Sequence, residues 1–397
     1  MSCRTITSVT SGVTYEHIAT YDIQRLNKIL TTEVDVFLDE LNSPFKAEFN
    51  EHYFPEALNA VKLYRITYPS VVPEDNNRPI TATGLIAIPE TGVSTLRVVS
   101  YQHGTVFSNM EVPSNPEKSM ETRLMIAQFA GQGYMVIAAD YFGKGQLVST
   151  ETDSYLVKAS TQQACLDMLH AAEAVCADLK IGMGELFLSG WSQGAWNTLT
   201  FLNKLESLNK HVKATAAAST PTDFYALINR WIHAPAAVDA PYLPGLMALQ
   251  LNAYEHYYKL PGLADSAIKP EYRKASRDLY LNRIDFDTFY ADTGKVSKLS
   301  DFLQQDVIDT SSIGNTRYWQ IVQENQSYRW RSITPLRIYY GDVDEVIPEY
   351  ISKLPVDYQQ LMGGAEVTAI PSGKYADHRG NFVYAVKHQK QWFDQLS

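Results

Sequence analysis

From about residue 58 onward, short apolar runs alternate with helical patterns, and this rhythm constrains the fold more than any other feature. VKLYRITYP and ITATGLIAIP alternate as the early antiparallel strands of a sheet do. LRVVSYQHGT (96–105), YMVIAADY (134–141), ELFLSGWS (185–192), VKATAAAST, PLRIYYGDVD (335–344) and AEVTAIPSG (365–373) read as further strands. The intervening helical stretches are EKSMETRLMIAQFAGQG (117–133), TQQACLDMLHAAEAVCADL, a run from about Ala195 to Leu208, and the closing FVYAVKHQKQWFDQL. Parallel strands need long crossovers, so this alternation predicts an α/β fold, a mostly parallel sheet flanked by helices.

The rhythm fails in one place. Residues 224–330 lack it, yet they hold 17 of the chain's aromatic residues, a share of about 16% against about 10% elsewhere. A structureless loop of that length does not suit a compact domain. The stretch is expected to fold as a large helical cap inserted before the last two strands. Residues 58–223 and 331–397 then form the core, and residues 1–57 an N-terminal extension, helical and packed on that core. Within the cap, Tyr254, Tyr257 and Tyr258 fall on one helix face, while Tyr318 and Trp319 form a second cluster. Either group is expected to build the cap's own core or to line a pocket beneath it.

Composition excludes several classes. With 34 Lys+Arg against 44 Asp+Glu, the formal charge is −10, which argues against nucleic acid or an anionic membrane as the main partner. No run of about 18 apolar residues suggests a membrane span. The N-terminus as written has no apolar core of a secretion signal, so a cytoplasmic location is expected unless a leader was removed. Cys165 and Cys176 share one helical stretch, where eleven residues at about 1.5 Å each separate them by about 16 Å, beyond bridging distance. Both read as small core residues. HExxH, paired CxxC and Walker patterns are missing, so neither metal hydrolysis nor phosphoryl transfer is indicated, and no cofactor is expected.

The chemistry concentrates at Gly190-Trp191-Ser192-Gln193-Gly194, a G-x-S-x-G pentapeptide between a strand and a helix. Gly190 and Gly194 permit the tight turn that would hold Ser192 outside the sheet. A serine hydroxyl needs a base to take its proton and an acid to orient that base. For this type of turn the chain order is Ser, acid, His. His378, in the polar loop KYADHRG after the last strand, is the expected base. His388 lies inside the closing helix, on its solvated side, and His233 and His256 lie in the cap. The acid should follow the preceding strand, where GDVDEVIP offers Asp342, Asp344 and Glu345; Asp344 is placed as the acid and Asp342 as a turn carboxylate. Asp377 is too close to His378 in sequence to orient its ring. Two N–H donors are expected to receive the developing oxyanion, those of Gln193 and Thr105. His103 and Gly104 precede Thr105, and His103 is expected to support this loop. The rate should rise with pH through a value near that of a free histidine, roughly 6.5.

HGT at 103–105, GYMVIAADYFGKG at 133–145, GWSQG at 190–194, GDVDEVIP at 341–348 and DHRG at 377–380 together resemble the α/β-hydrolase superfamily. The pattern is similar to bacterial esterases and fungal secretory-type lipases, from about residue 100 onward and in the family's order. The resemblance implies a serine esterase that hydrolyses carboxylic esters of small molecules through an acyl-enzyme, without metal or cofactor. The chain departs from secretory lipases in having no leader as written and few cysteines. A peptidase of the prolyl-peptidase type would share the triad and recognise a free amine with carboxylates such as Asp239, Glu255, Asp285 or Asp287. The same motifs also fit acyl transfer to an alcohol, or a non-catalytic relative that keeps the fold.

Overall fold

In the computed structural model, residues 7–145, 151–308 and 316–396 are described. Small parts of the N-terminal extension, of both core segments and of the expected cap, with Cys3 among them, lie outside these residues. Among the described residues, ten strands form a single sheet. They are β1 (Thr7–Thr10), β2 (Val13–Tyr21), β3 (Val61–Val72), β4 (Arg78–Pro89), β5 (Thr95–Gln102), β6 (Met135–Ala139), β7 (Gly182–Trp191), β8 (Ala214–Ala218), β9 (Leu336–Tyr340) and β10 (Val367–Pro371). Their order across the sheet is β1-β2-β3-β4-β6-β5-β7-β8-β9-β10. Strands β1 to β4 pair antiparallel, as does β4 with β6; from β6 to β10 every pairing is parallel.

Apolar layers cover both faces of this sheet. Helices α1 (Ile23–Lys28) and α2 (Val34–Asp39) share one layer with α3 (Met120–Gln128) and with the final helix, through Leu26, Phe37, Leu124 and Phe393. Helices α4 (Lys158–Leu179) and α5 (Gln193–Ser207) lie in the other, through Leu169, Val175, Trp196 and Phe201. Strand β7 serves both layers: Phe187 enters the first and Leu188 the second, because successive side chains leave a strand on opposite faces. Cys165 and Cys176 are buried in α4 without a disulfide; burial raises both thiols and pushes Cys176 up to about 12.

Between β8 and β9 the described chain is helical, with α6 (Phe224–His233), α7 (Leu243–Tyr257), α8 (Leu263–Ala267), α9 (Arg273–Tyr280), α10 (Phe286–Asp292), α11 (Leu299–Phe302), α12 (Gln305–Ile308) and α13 (Arg317–Glu324). Their apolar residues, among them Trp231, Leu249, Leu279 and Trp319, are continuous with the layer that holds α4. After β9 come α14 (Glu349–Met362) and α15 (His378–Gln395).

Residues 1–57 are not wholly helical, in contrast to expectation. β1 and β2 extend the sheet beyond β3 before α1 begins. One wet face and a bulge between His17 and Ala19 interrupt the apolar alternation of β2, so the strand does not announce itself in the sequence. No described helix is long and apolar enough to cross a membrane.

Candidate active site

Ser192 stands where β7 passes into α5, with φ 57° and ψ −125°. Two glycines permit the turn. A Cβ on Gly194 would lie 1.9 Å from the Gln102 carbonyl oxygen, and one on Gly190 would lie 2.2 Å from Thr198 Oγ1. The start of α5 is thereby pressed against the end of β5. Thr198 Oγ1 donates to Gln102 Oε1 at 2.8 Å and locks that approach.

The structure brings Ser192, His378 and Asp344 into contact. His378 Nε2 is 2.8 Å from Ser192 Oγ. Its Nδ1 is 2.9 and 3.1 Å from the two oxygens of Asp344. Burial alone would raise the Asp344 pKa, but the charge of His378 and hydrogen bonds from His378, Ile347 and Ser219 outweigh it and hold the carboxyl below its ordinary range. An ionised Asp344 accepts only, so His378 carries its ring proton on Nδ1 and offers a lone pair at Nε2 to the serine hydroxyl.

The His378 ring is buried as well. Burial would depress its pKa, yet Asp344, followed by Glu345 and Asp377, raises it above the ordinary 6.5. The expectation of a value near that of a free histidine is therefore corrected upward.

The acid is itself held by three donors besides the histidine. Val346 and Ile347 N–H donate to Asp344 Oδ1 at 2.9 and 2.8 Å, and Ser219 Oγ donates to Oδ2 at 2.6 Å. Asn381 Nδ2 donates to Ser219 Oγ at 2.6 Å and so supports it from α15. His378 is fixed through its backbone: its N–H donates to Glu345 Oε2 at 2.9 Å, and its carbonyl accepts Trp191 Nε1 at 3.0 Å. Ser219, Asn381, Trp191 and Glu345 in this role were missed in sequence, where only Glu345 was considered and then as a rival acid.

Other candidates lie apart. Asp342 is exposed. Asp377 does not reach the ring; it caps α15 by accepting Gly380 N–H at 2.8 Å and also accepts Ser43 Oγ at 2.6 Å. His233 and His256 are exposed on the segment between β8 and β9. His388 is half-buried and stacks on Tyr384, with ring centroids 4.0 Å apart, so its solvated placement is corrected. His103 is fully buried and is pushed down to about 4 by that burial, so the ring is neutral. It contacts the carbonyls of Gly104 and Asp140 at 2.8 and 3.2 Å.

Ser192 and His378 open into a cavity of about 520 Å³. Thr105, Phe107, Tyr155, Phe224, Trp231, Tyr242, Leu246, Phe286 and Ile347 give it a largely aromatic wall. Phe37, Glu40 and Leu41, around the end of α2, lie on the opposite side with a charged set that includes Glu111, Glu117, Lys118, Glu121, Arg123 and Arg379. None of Tyr254, Tyr257, Tyr258, Tyr318 or Trp319 is in the wall. Tyr254 and Tyr257 instead donate to the carbonyls of Leu156 and Thr152, at 3.3 and 2.7 Å, and Tyr318 donates to Gln250 at 3.0 Å. Nor do the four carboxylates considered for amine recognition line it. Asp239 pairs with Arg230, Glu255 accepts Ala264 N–H at 2.8 Å, Asp285 caps α10 at Thr288 N–H, and Asp287 lies beside it on the first turn.

Neither a family model nor a curated protein matches the sequence. Solved structures do match the fold. A candidate hydrolase from Legionella pneumophila superposes with a TM-score of 0.81 at 21% identity, covering 96% of this chain and 97% of that one. The rice cell wall degrading esterase LipA from Xanthomonas oryzae gives 0.80 at 19% identity, over 98% and 100%. Candida antarctica lipase A in its closed state gives 0.60 at 14% identity, over 80% and 73%. Strand order, flanking helices and these superpositions together identify the chain as having the esterase- and lipase-like hydrolase fold.

Proposed function

We propose that the protein hydrolyses carboxylic esters through an acyl-enzyme formed on Ser192. The observation that carries this reading is the unbroken contact from Ser192 Oγ through His378 to Asp344, at 2.8 and 2.9 Å, on the wall of an aromatic cavity. In the first half-reaction Ser192 Oγ attacks the ester carbonyl carbon while His378 Nε2 takes the hydroxyl proton. The negative charge on the carbonyl oxygen is received by the N–H groups of Gln193 and Thr105; Gln193 opens α5 immediately after Ser192, and Thr105 lines the cavity beside Ser192. Collapse expels the alcohol, which leaves with the proton from His378. Water then gives a proton to His378 and attacks the acyl carbon, and Ser192 recovers its proton as the acid departs.

The helices of residues 224–330 act as a cap, residues 58–223 and 331–397 as the catalytic core, and residues 1–57 as an extension of that core. Short-chain and aromatic esters suit the site best, because rings of Phe107, Phe224, Trp231, Tyr242 and Phe286 enclose a cavity the size of a small ligand. Asp239, Glu255 and Asp285 are engaged elsewhere, but Glu40, Glu111, Glu117 and Glu121 line the cavity, so an aminoacyl anilide assayed beside the esters separates the peptidase reading from this one.

The test uses p-nitrophenyl acetate, butyrate and laurate together with a fluorophosphonate probe. Wild type should turn over the short esters and be labelled; Ser192→Ala should lose about 10⁴-fold in rate, since the three residues act as a unit, and escape the probe while keeping its fold. Equal labelling of wild type and variant would remove Ser192 from the mechanism.

A further inference from the structure

The loop after β5 is gripped by a group outside the Ser192–His378–Asp344 chain. Glu121, in the first turn of α3, is buried, and its Oε2 accepts the Gly104 N–H at 2.8 Å and the Tyr101 hydroxyl at 2.7 Å. A carboxyl at such a place is costly unless donors meet it. Burial raises its pKa, and these two donors pull against that rise. An apolar side chain would fill the same volume without needing them. Glu121 also lines the cavity beside Thr105, Trp191 and Ser192.

The next peptide group is held too. The Gly104 carbonyl is 2.8 Å from His103 Nδ1 and accepts its proton in the Nδ1–H tautomer, the other ring nitrogen lying 3.2 Å from the Asp140 carbonyl. In a planar trans peptide the C=O and the following N–H point in opposite directions. Holding the Gly104 carbonyl therefore sets the direction of the Thr105 N–H, provided that the amide before it is also fixed. Glu121 fixes that amide.

We propose that Glu121 is a positioning residue, which accepts the Gly104 N–H and so aims the Thr105 N–H at the oxyanion formed on attack by Ser192. The inference rests on the ester-hydrolase reading above. Glu121 touches no reacting atom; its effect passes through the backbone of Gly104.

Two variants separate aim from bulk. Glu121→Leu removes the acceptor, whereas Glu121→Gln keeps an oxygen in the same place. With p-nitrophenyl butyrate, E121L should lose about 10- to 100-fold in kcat with KM changed less than about threefold, and E121Q should stay within about threefold of wild type. Any shift in the pH at half-maximal rate should be the same in E121L and E121Q, since both remove the carboxyl charge that His378 feels. The specific readout is the ratio of kcat for an oxygen ester to kcat for its thionoester. Sulfur accepts hydrogen bonds weakly and gains little from a well-aimed N–H, so the ratio should narrow in E121L. Circular dichroism and gel filtration report whether E121L folds; if it does not, Tyr101→Phe, which removes one of the two donors to Oε2, decides by the same ratio on a smaller scale. A folded E121L with wild-type kcat and ratio, a Gln variant as damaged as the Leu variant, or an unchanged ratio in a deciding Y101F would overturn the inference. Absence of ester turnover and of Ser192-dependent labelling in wild type would instead overturn the reading of the site itself.

Discussion

Asp344 and Asp342 stand two residues apart on one turn, and only Asp344 reaches an imidazole. On the proposed mechanism Asp344 holds the ring proton on Nδ1 and balances the positive charge that forms on His378. Asp344→Asn should therefore cost about 10⁴-fold in kcat, by favouring the wrong tautomer, whereas Asp342→Asn should stay within about threefold. The pH profile carries a second signature. The base must be neutral to accept a proton, so the rate is low below the His378 pKa and rises through it. Because Asp344 and its neighbours raise that pKa, the wild-type limb should lie above 6.5, and removal of the Asp344 charge should move it to lower pH. A kcat/KM profile from pH 5 to 9 for the three proteins checks both statements. A wild-type midpoint below 6.5, or greater damage in Asp342→Asn, would misplace the acid. His103 has no part in this limb, since burial keeps it neutral down to about pH 4.

At the scale of elements, α6, α7 and α10 present Phe224, Trp231, Leu246 and Phe286 to the cavity. Enlarging Leu246 to Trp should shorten the acyl chain accepted: kcat/KM for a C8 p-nitrophenyl ester should fall about tenfold while the C2 ester changes little, the scale expected when a few methylenes lose their space. A uniform loss across C2 to C16 would mean that α7 does not face the acyl group. These helices also mark what could be read from sequence. GWSQG was legible because two glycines flank a tight strand-to-helix turn, and HGT and DHRG because one directly follows β5 and the other caps and opens α15. The face shared by Tyr254, Tyr257 and Tyr258 was legible as buried, but periodicity does not name the partner, and the partner proved to be the segment around residues 152–156 and Asn325. Glu121 in METRL looks like any acid in a first helical turn. Its burial depends on α3 packing against a loop some twenty residues earlier, and no local pattern carries that. The strand β2 was hidden for a similar reason, since its wet face and bulge blur the alternation that a drier strand keeps.

For the molecule as a whole, the cavity is a product of distant chain segments, with residues 37–41 on one side and residues 224–286 on the other. The Trp191 ring ties these layers to the chemistry: it packs on Phe37, Phe382 and His378, at centroid distances of 6.5, 4.8 and 4.9 Å. Into this well-packed frame the turn at Ser192 introduces a debt of thermal stability. A non-glycine residue at φ 57°, ψ −125° sits in a sparsely populated region that costs on the order of 1–3 kcal/mol. Two inactive proteins can reveal that cost. Ser192→Ala and Ser192→Gly both lose the hydroxyl and its hydrogen bond to His378, but only glycine adopts the backbone angles freely, and the roughly 0.5–1 kcal/mol it loses in chain entropy offsets only part of the relief. Ser192→Gly should therefore melt about 1–3 °C higher than Ser192→Ala; equal melting points would mean that the surrounding packing, not the serine backbone, absorbs the turn. A chain selected only to survive heating would place glycine at 192, and the serine found there measures how much endurance this fold surrenders to hold one hydroxyl at the cavity wall.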